Sequence, residues 1–170
     1  PLSQISPPFI WVNRHHGGHA PYNGFLENGD HEKLNAKEYF LKYGGDEERL
    51  RKDYADSIAK FSNEIETTKE TLEERGLTEN TLLVITSDHG ELLGEYSQIG
   101  HDLPGCPELV RVPTTFVHPG LDSHTVETGI MRHIDLVPTL LDILNIPQDR
   151  FENLDGVSLT ERLPKTGQSY

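Results

Sequence analysis

The sequence has one cysteine, few basic residues and no long apolar run, and each shortage excludes a class of protein. Cys106 alone can form neither an intramolecular disulfide nor a multi-cysteine zinc site, so cysteine usage assigns no redox compartment. Fifteen Lys and Arg stand against 28 Asp and Glu, for a net charge of −13 over 170 residues. That balance excludes the Lys/Arg surface on which sequence-independent binding to DNA or RNA depends. The excess reads as a solvated acidic face, with adaptation to a high-salt cytoplasm as the other reading. No apolar stretch approaches the ~20 residues of a membrane span, and Pro1-Leu2-Ser3-Gln4 lacks a basic-then-apolar leader pattern. A processed start would look the same, so localisation is unassigned.

What is present clusters. Mean hydropathy is −0.55, yet the apolar residues gather in a few dense segments, enough for one small core and one domain over 1–170. Pro8-Phe-Ile-Trp-Val-Asn13 is β-branched and aromatic and predicts a buried strand. It runs into Arg14-His-His-Gly-Gly-His19 and Ala20-Pro21-Tyr22-Asn23-Gly24, whose turn formers predict a loop. A short helix is expected from Asn35 to Tyr43, ended by Gly44-Gly45.

From Asp46 to Arg75 the apolar residues Leu50, Tyr54, Ile58, Phe61, Ile65 and Leu72 fall on one helical face, with Asp46 as cap and Gly76 as terminator. Thr81-Leu-Leu-Val-Ile-Thr86 is continuously apolar, the pattern of a strand covered on both faces. A further strand is expected at Val112 to Val117, then a helix from Asp135 with Pro147 just past its end. Strands alternating with crossover helices predict an α/β fold with a mostly parallel sheet, and ligands then sit beyond the strands' carboxyl ends. Both polar clusters, His15/His16/His19 and Asp88/His89, fall at such ends.

An Asp-His pair leaving a strand offers one hard oxygen and one imidazole nitrogen to a divalent metal; the competing reading is a helix-capping Asp88 beside a surface His89. Glu91-Leu-Leu-Gly-Glu95 and Gly100-His101 add two acids and an imidazole on the following loop. Over Asn80-Thr-Leu-Leu-Val-Ile-Thr-Ser-Asp-His-Gly-Glu-Leu-Leu-Gly-Glu95 the chain resembles the sulfatase family of the alkaline phosphatase superfamily. His19-Ala-Pro-Tyr22, Arg111-Val-Pro113, Asp135-Leu-Val-Pro-Thr-Leu-Leu-Asp142 and Asp155-Gly-Val-Ser-Leu159 agree in order, so the resemblance covers nearly the whole chain.

The resemblance implies a partial alkaline-phosphatase-like sheet and the C-terminal portion of a sulfatase-like catalytic domain. It implies Asp88 and His89 as metal ligands, for calcium first and manganese or zinc as alternatives. It also implies His19 and His101 as catalytic residues that contact sulfate or phosphate oxygens or protonate the leaving group. His15 and His16 read as structural or exposed, Glu91 and Glu95 as residues that shape the loop or support the ligands rather than ligate directly, and Cys106 as a small loop or packing residue.

Two departures qualify the match. Gly-Glu-His is frequent in the family where this chain has Gly94-Glu95-Tyr96. The Cys/Ser-x-Pro/Ala-x-Arg motif that becomes formylglycine is absent from these residues, and is expected only in an N-terminal segment that this chain lacks. The expectation is a metal-dependent hydrolase of sulfate esters, inactive as the isolated chain. A phosphodiesterase, phosphonate hydrolase or phosphoglycerol transferase is the alternative within the superfamily. A non-catalytic fragment acting through association, with self-association through exposed sheet surface, is the alternative outside it.

Overall fold

The structure, a computed structural model, describes residues 1–15, 17–22, 34–121, 130–151 and 153–162. His16 and the Asn23-Gly24 end of the expected loop lie outside the described residues. The chain divides into two compact units, Pro1–Phe116 and Val117–Tyr170, each taken by itself below.

In the first unit, α1 (Ala36–Lys42) starts at Asn35, whose side chain accepts from the Glu38 backbone N–H while Glu38 bonds back to the Asn35 N–H. This reciprocal box satisfies two of the amide donors that a helix start orphans. The long amphipathic segment is α2 (Glu47–Glu74), capped by Asp46 and ended by Gly76 at φ 63°. Its buried face meets α1 through Leu50 and the Tyr22–Tyr39 pair, the core of this unit. Tyr39 donates to the buried Asp53 carboxylate at 2.8 Å, which gives an otherwise costly charge inside the core a partner.

Past α2 come β1 (Leu83–Thr86), β2 (Leu92–Leu93), β3 (Ile99–Gly100), the single turn α3 (Pro107–Val110) and β4 (Thr114–Val117). β1 lies beside β4, and Thr86 Oγ1 stands 3.0 Å from Thr114 Oγ1 where the end of one meets the start of the other. β2 pairs antiparallel with β3, Leu92 opposite Gly100 and Leu93 opposite Ile99. Leu92 is fully buried with Cys106 and Leu109, so Cys106 is a packing residue at the start of α3.

Two expectations change. Residues 8–13 form no strand: Ile10 and Val12 are 92% and 85% exposed, because the segment finds no ladder partner among the described residues. β1 was expected to be covered on both faces, yet Leu83, Val84 and Ile85 are half-buried, with β4 as the strand neighbour among the described residues. The architecture is mixed α/β.

In the second unit, α4 (His133–Ile143) begins two residues before the expected Asp135, which instead sits in the first turn and accepts from the Arg132 backbone N–H. Pro138 lies inside α4 and cannot donate to the Ile134 carbonyl. Gly156 packs where a Cβ would fall 1.9 Å from that carbonyl oxygen, so only glycine fits. Asp135, 2% exposed, takes the Arg132 guanidinium and the Val157 backbone N–H. These bonds hold its carboxyl well below the usual range, the Arg132 side chain contributing most.

Candidate active site

The site forms where two loops of the first unit meet, and α2 carries one of them. His15 stacks on Phe61 of α2 with ring centroids 5.0 Å apart, and its Nε2 lies 3.0 Å from Glu64 Oε1. Its Nδ1 accepts from the Gly17 N–H at 2.7 Å. The Gly18 N–H then donates to buried Ser57 Oγ at 3.1 Å, and Tyr22 packs edge-on against Tyr54. His15 is thus an anchor, as its structural reading held. The chain segment between these fixed points presents His19.

The second loop follows β1. Asp88 is exposed and its Oδ1 accepts from the His89 N–H at 3.1 Å. Burial works against its charge, but its own backbone N–H, that of His89, the nearby His89 ring and Arg14 outweigh it and hold the carboxyl below its ordinary value. His89 Nδ1 donates to the Gly90 carbonyl at 2.9 Å, a tautomer assigned from that partner, which leaves Nε2 available. Gly90 donates to the Leu109 carbonyl at 2.9 Å and passes so close to α3 that an added Cβ would lie 1.9 Å from the Glu108 carbonyl oxygen.

Glu91 joins the two loops. Its side chain, 3% exposed, accepts from the Tyr22 hydroxyl at 2.8 Å and lies 3.2 Å from His101 Nδ1. Burial, reinforced by the Glu91 charge, pushes the Tyr22 phenol far above its ordinary pKa, so it is a permanent donor here. The His101 ring stands 4.5 Å from His89 and 5.6 Å from His19, centroid to centroid. One ligand atom each from His89, Glu91 and His101 falls within 4.8 Å of the others.

Of the residues singled out in the sequence, the structure gathers His19, His89 and His101, while Asp88 flanks them with its carboxylate turned to local backbone donors. Glu91 is at the centre, in the supporting role that was one of its two readings, bonded to Tyr22 and to His101. The missed signal was a hairpin: extending the Leu92–Gly100 register by one step sets Glu91 opposite His101. Glu95 does shape the loop, accepting from the Leu93 N–H at 2.6 Å and from Arg51 at 2.7 Å.

The Sulfatase family model matches residues 3–146. The chain belongs to the sulfatase family. It is 38% identical to the low-salt glycan biosynthesis sulfotransferase Agl7 of Haloferax volcanii over 96% of this chain and 39% of that protein. It is 32% identical to arylsulfatase K of Bos taurus over 58% of this chain and 17% of that protein. A multifunctional alkaline phosphatase superfamily protein, PehA of Trinickia caryophylli, is 30% identical over 59% of this chain and 20% of its own length. The chain therefore spans well under half the length of these relatives. Divalent metal use and action on sulfate esters are family-level properties that agree with the His/Glu cluster, and no helix among the described residues is long and apolar enough to cross a membrane.

Proposed function

We propose that this chain supplies one half of a metal-dependent sulfuric ester hydrolase site, within a single catalytic domain whose mostly parallel sheet includes β1. The convergence of His19, His89 and His101 around the buried Glu91 carries this reading. Imidazoles on a common centre match a developing anion that needs donors and a leaving alkoxide that needs a proton. His101 is held by Glu91, which orients its ring, and His19 is presented by the loop anchored on α2. Asp88 and His89 lie at the end of β1, where they and the cluster beside them fit a divalent cation, calcium included, with further oxygen ligands supplied from outside these residues. When bound, such an ion polarises the ester oxygens. The nucleophile belongs to a formylglycine segment not present in these residues.

Joined to a family segment bearing the Cys/Ser-x-Pro/Ala-x-Arg motif, the chain should support metal-dependent hydrolysis of nitrophenyl sulfate. A lost proton-transfer or oxyanion contact costs ~10²–10⁴-fold, so His19→Ala and His101→Ala should each reduce kcat by that order. The isolated 170-residue chain should show no turnover. Turnover by the chain alone, or full activity in both histidine variants, would refute the assignment. A faster reaction with nitrophenyl phosphate would favour the phosphoryl branch of the superfamily.

The Haloferax relative, named a sulfotransferase, supports a second reading in which the sulfuryl group passes to an acceptor hydroxyl in place of water. Sulfated product formed in the presence of a polyol acceptor, at the expense of free sulfate, would select it.

A further inference from the structure

We propose that His89, Glu91 and His101 form a nitrogen-rich binding site for a borderline transition ion, zinc above all, complete enough to bind on this chain alone and separate in its donors from Asp88. This rests on reading the region as a metal site and names a different ligand set for it. Three observations converge. One ligand atom of each residue lies within 4.8 Å of the others. Donors ~2.0–2.1 Å from a tetrahedral ion stand a little over 3 Å apart, and His101 Nδ1 to Glu91 Oε2 is 3.2 Å. His89 already has the second contact that metal-bound histidines make, its Nδ1 donating to the Gly90 carbonyl at 2.9 Å while Nε2 remains for an ion.

Chemistry then chooses the ion. Two imidazoles and one carboxylate are the donors of zinc, cobalt or manganese, whereas calcium takes six to eight oxygens. Tyr22 holds the other Glu91 oxygen at 2.8 Å and fixes the carboxylate, which in turn keeps the half-exposed His101 ring beside it. His19, with its ring 5.6 Å from that of His101, is placed to approach a fourth position. An ion here would occupy both His89 and His101, so it would compete with His101 for any role on substrate.

The test uses the full 170-residue chain after treatment with a chelator. Cobalt(II), a spectroscopic substitute for zinc, is titrated in while its visible absorption is followed, and zinc and calcium binding are measured by calorimetry. One cobalt per chain with a tetrahedral-type spectrum is expected, displaced by zinc and not by calcium. Loss of an outer partner of a metal ligand costs ~10–100-fold in affinity, so Glu91→Gln and His101→Ala, each losing a direct ligand, should weaken zinc by ~100-fold or more. Asp88→Asn should change it less than ~10-fold. Far-UV circular dichroism confirms that each variant is folded, and Glu91→Gln retains an acceptor for Tyr22.

Zinc binding abolished by Asp88→Asn but kept in Glu91→Gln and His101→Ala would overturn the proposal while leaving the Asp88–His89 metal reading intact. Folded protein that binds neither zinc nor cobalt would overturn the proposal outright. If calcium too failed to bind, the wider reading of a metal site on this chain would fall with it.

Discussion

Gly90→Ala tests whether the loop carrying His89 is set by close packing on α3. Gly90 is not in the left-handed region, so the substitution carries no backbone penalty and the effect is steric. An added Cβ would lie 1.9 Å from the Glu108 carbonyl oxygen, 3.0 Å from its carbon and 3.4 Å from Leu109 Cα, all backbone atoms that no rotamer change can remove. Relief requires α3 and the loop to part by more than 1 Å, roughly the gap to an ordinary contact, in a core where overpacking costs ~1–3 kcal/mol. That movement also breaks the Gly90 N–H to Leu109 carbonyl bond of 2.9 Å, worth ~0.5–1.5 kcal/mol net. The sum is ~2–4 kcal/mol, a large share of a typical stability of 5–15 kcal/mol. At ~2–4 °C per kcal/mol for a chain of this size, Tm should fall by roughly 5–15 °C. Urea unfolding followed by circular dichroism gives the free energy directly. A loss below ~0.5 kcal/mol, the level of an ordinary surface change, would refute the claim that α3 fixes the His89 loop.

Two pH limits follow from the shifted groups. Asp135 has a depressed folded pKa, so its contribution is present above the unfolded value near ~4 and is lost as pH falls below it. Acid unfolding followed by circular dichroism should show a limb below about pH 4 that Asp135→Asn flattens. Tyr22 and Tyr39 have raised folded values, from burial first and their Glu91 and Asp53 partners second. Their contribution is intact below ~pH 10 and lost above it, so alkaline unfolding should start there and move upward in Tyr22→Phe measured against its own stability at pH 8.

Local signals carried the helices. Asp46, the three-and-four spacing and Gly76 bound α2 to within a residue, because capping and amphipathic burial are decided within a few turns. Residues 8–13 failed for the opposite reason. β-branched and aromatic composition reports fitness for a pleated surface, but a strand exists only when another supplies its ladder, and none described here does so. The entry to α4 was misplaced at Asp135, since an acidic residue near a helix start serves equally as cap or, from the first turn, as acceptor for the backbone N–H of the residue before the helix.

The candidate site was legible at its histidines and not at its centre. His19, His89 and His101 were each named from pattern, but what binds them into one arrangement is the two-residue hairpin that sets Glu91 opposite His101. So short a hairpin leaves little periodic signal, and its loop depends on Gly94 at φ 118°, a geometry that the sequence alone does not distinguish from an ordinary turn. Glu91 reaches Tyr22 across 69 positions and His101 across 10, so the long and the short loop are fixed to each other through one buried carboxylate. A buried carboxylate with one aromatic hydroxyl and one imidazole is costly to desolvate and therefore marks a position held for something other than stability. Whether that purpose is to aim His101 at an ester oxygen or to share an ion with His89, the same three side chains must answer, and their responses to substrate and to zinc separate the two roles.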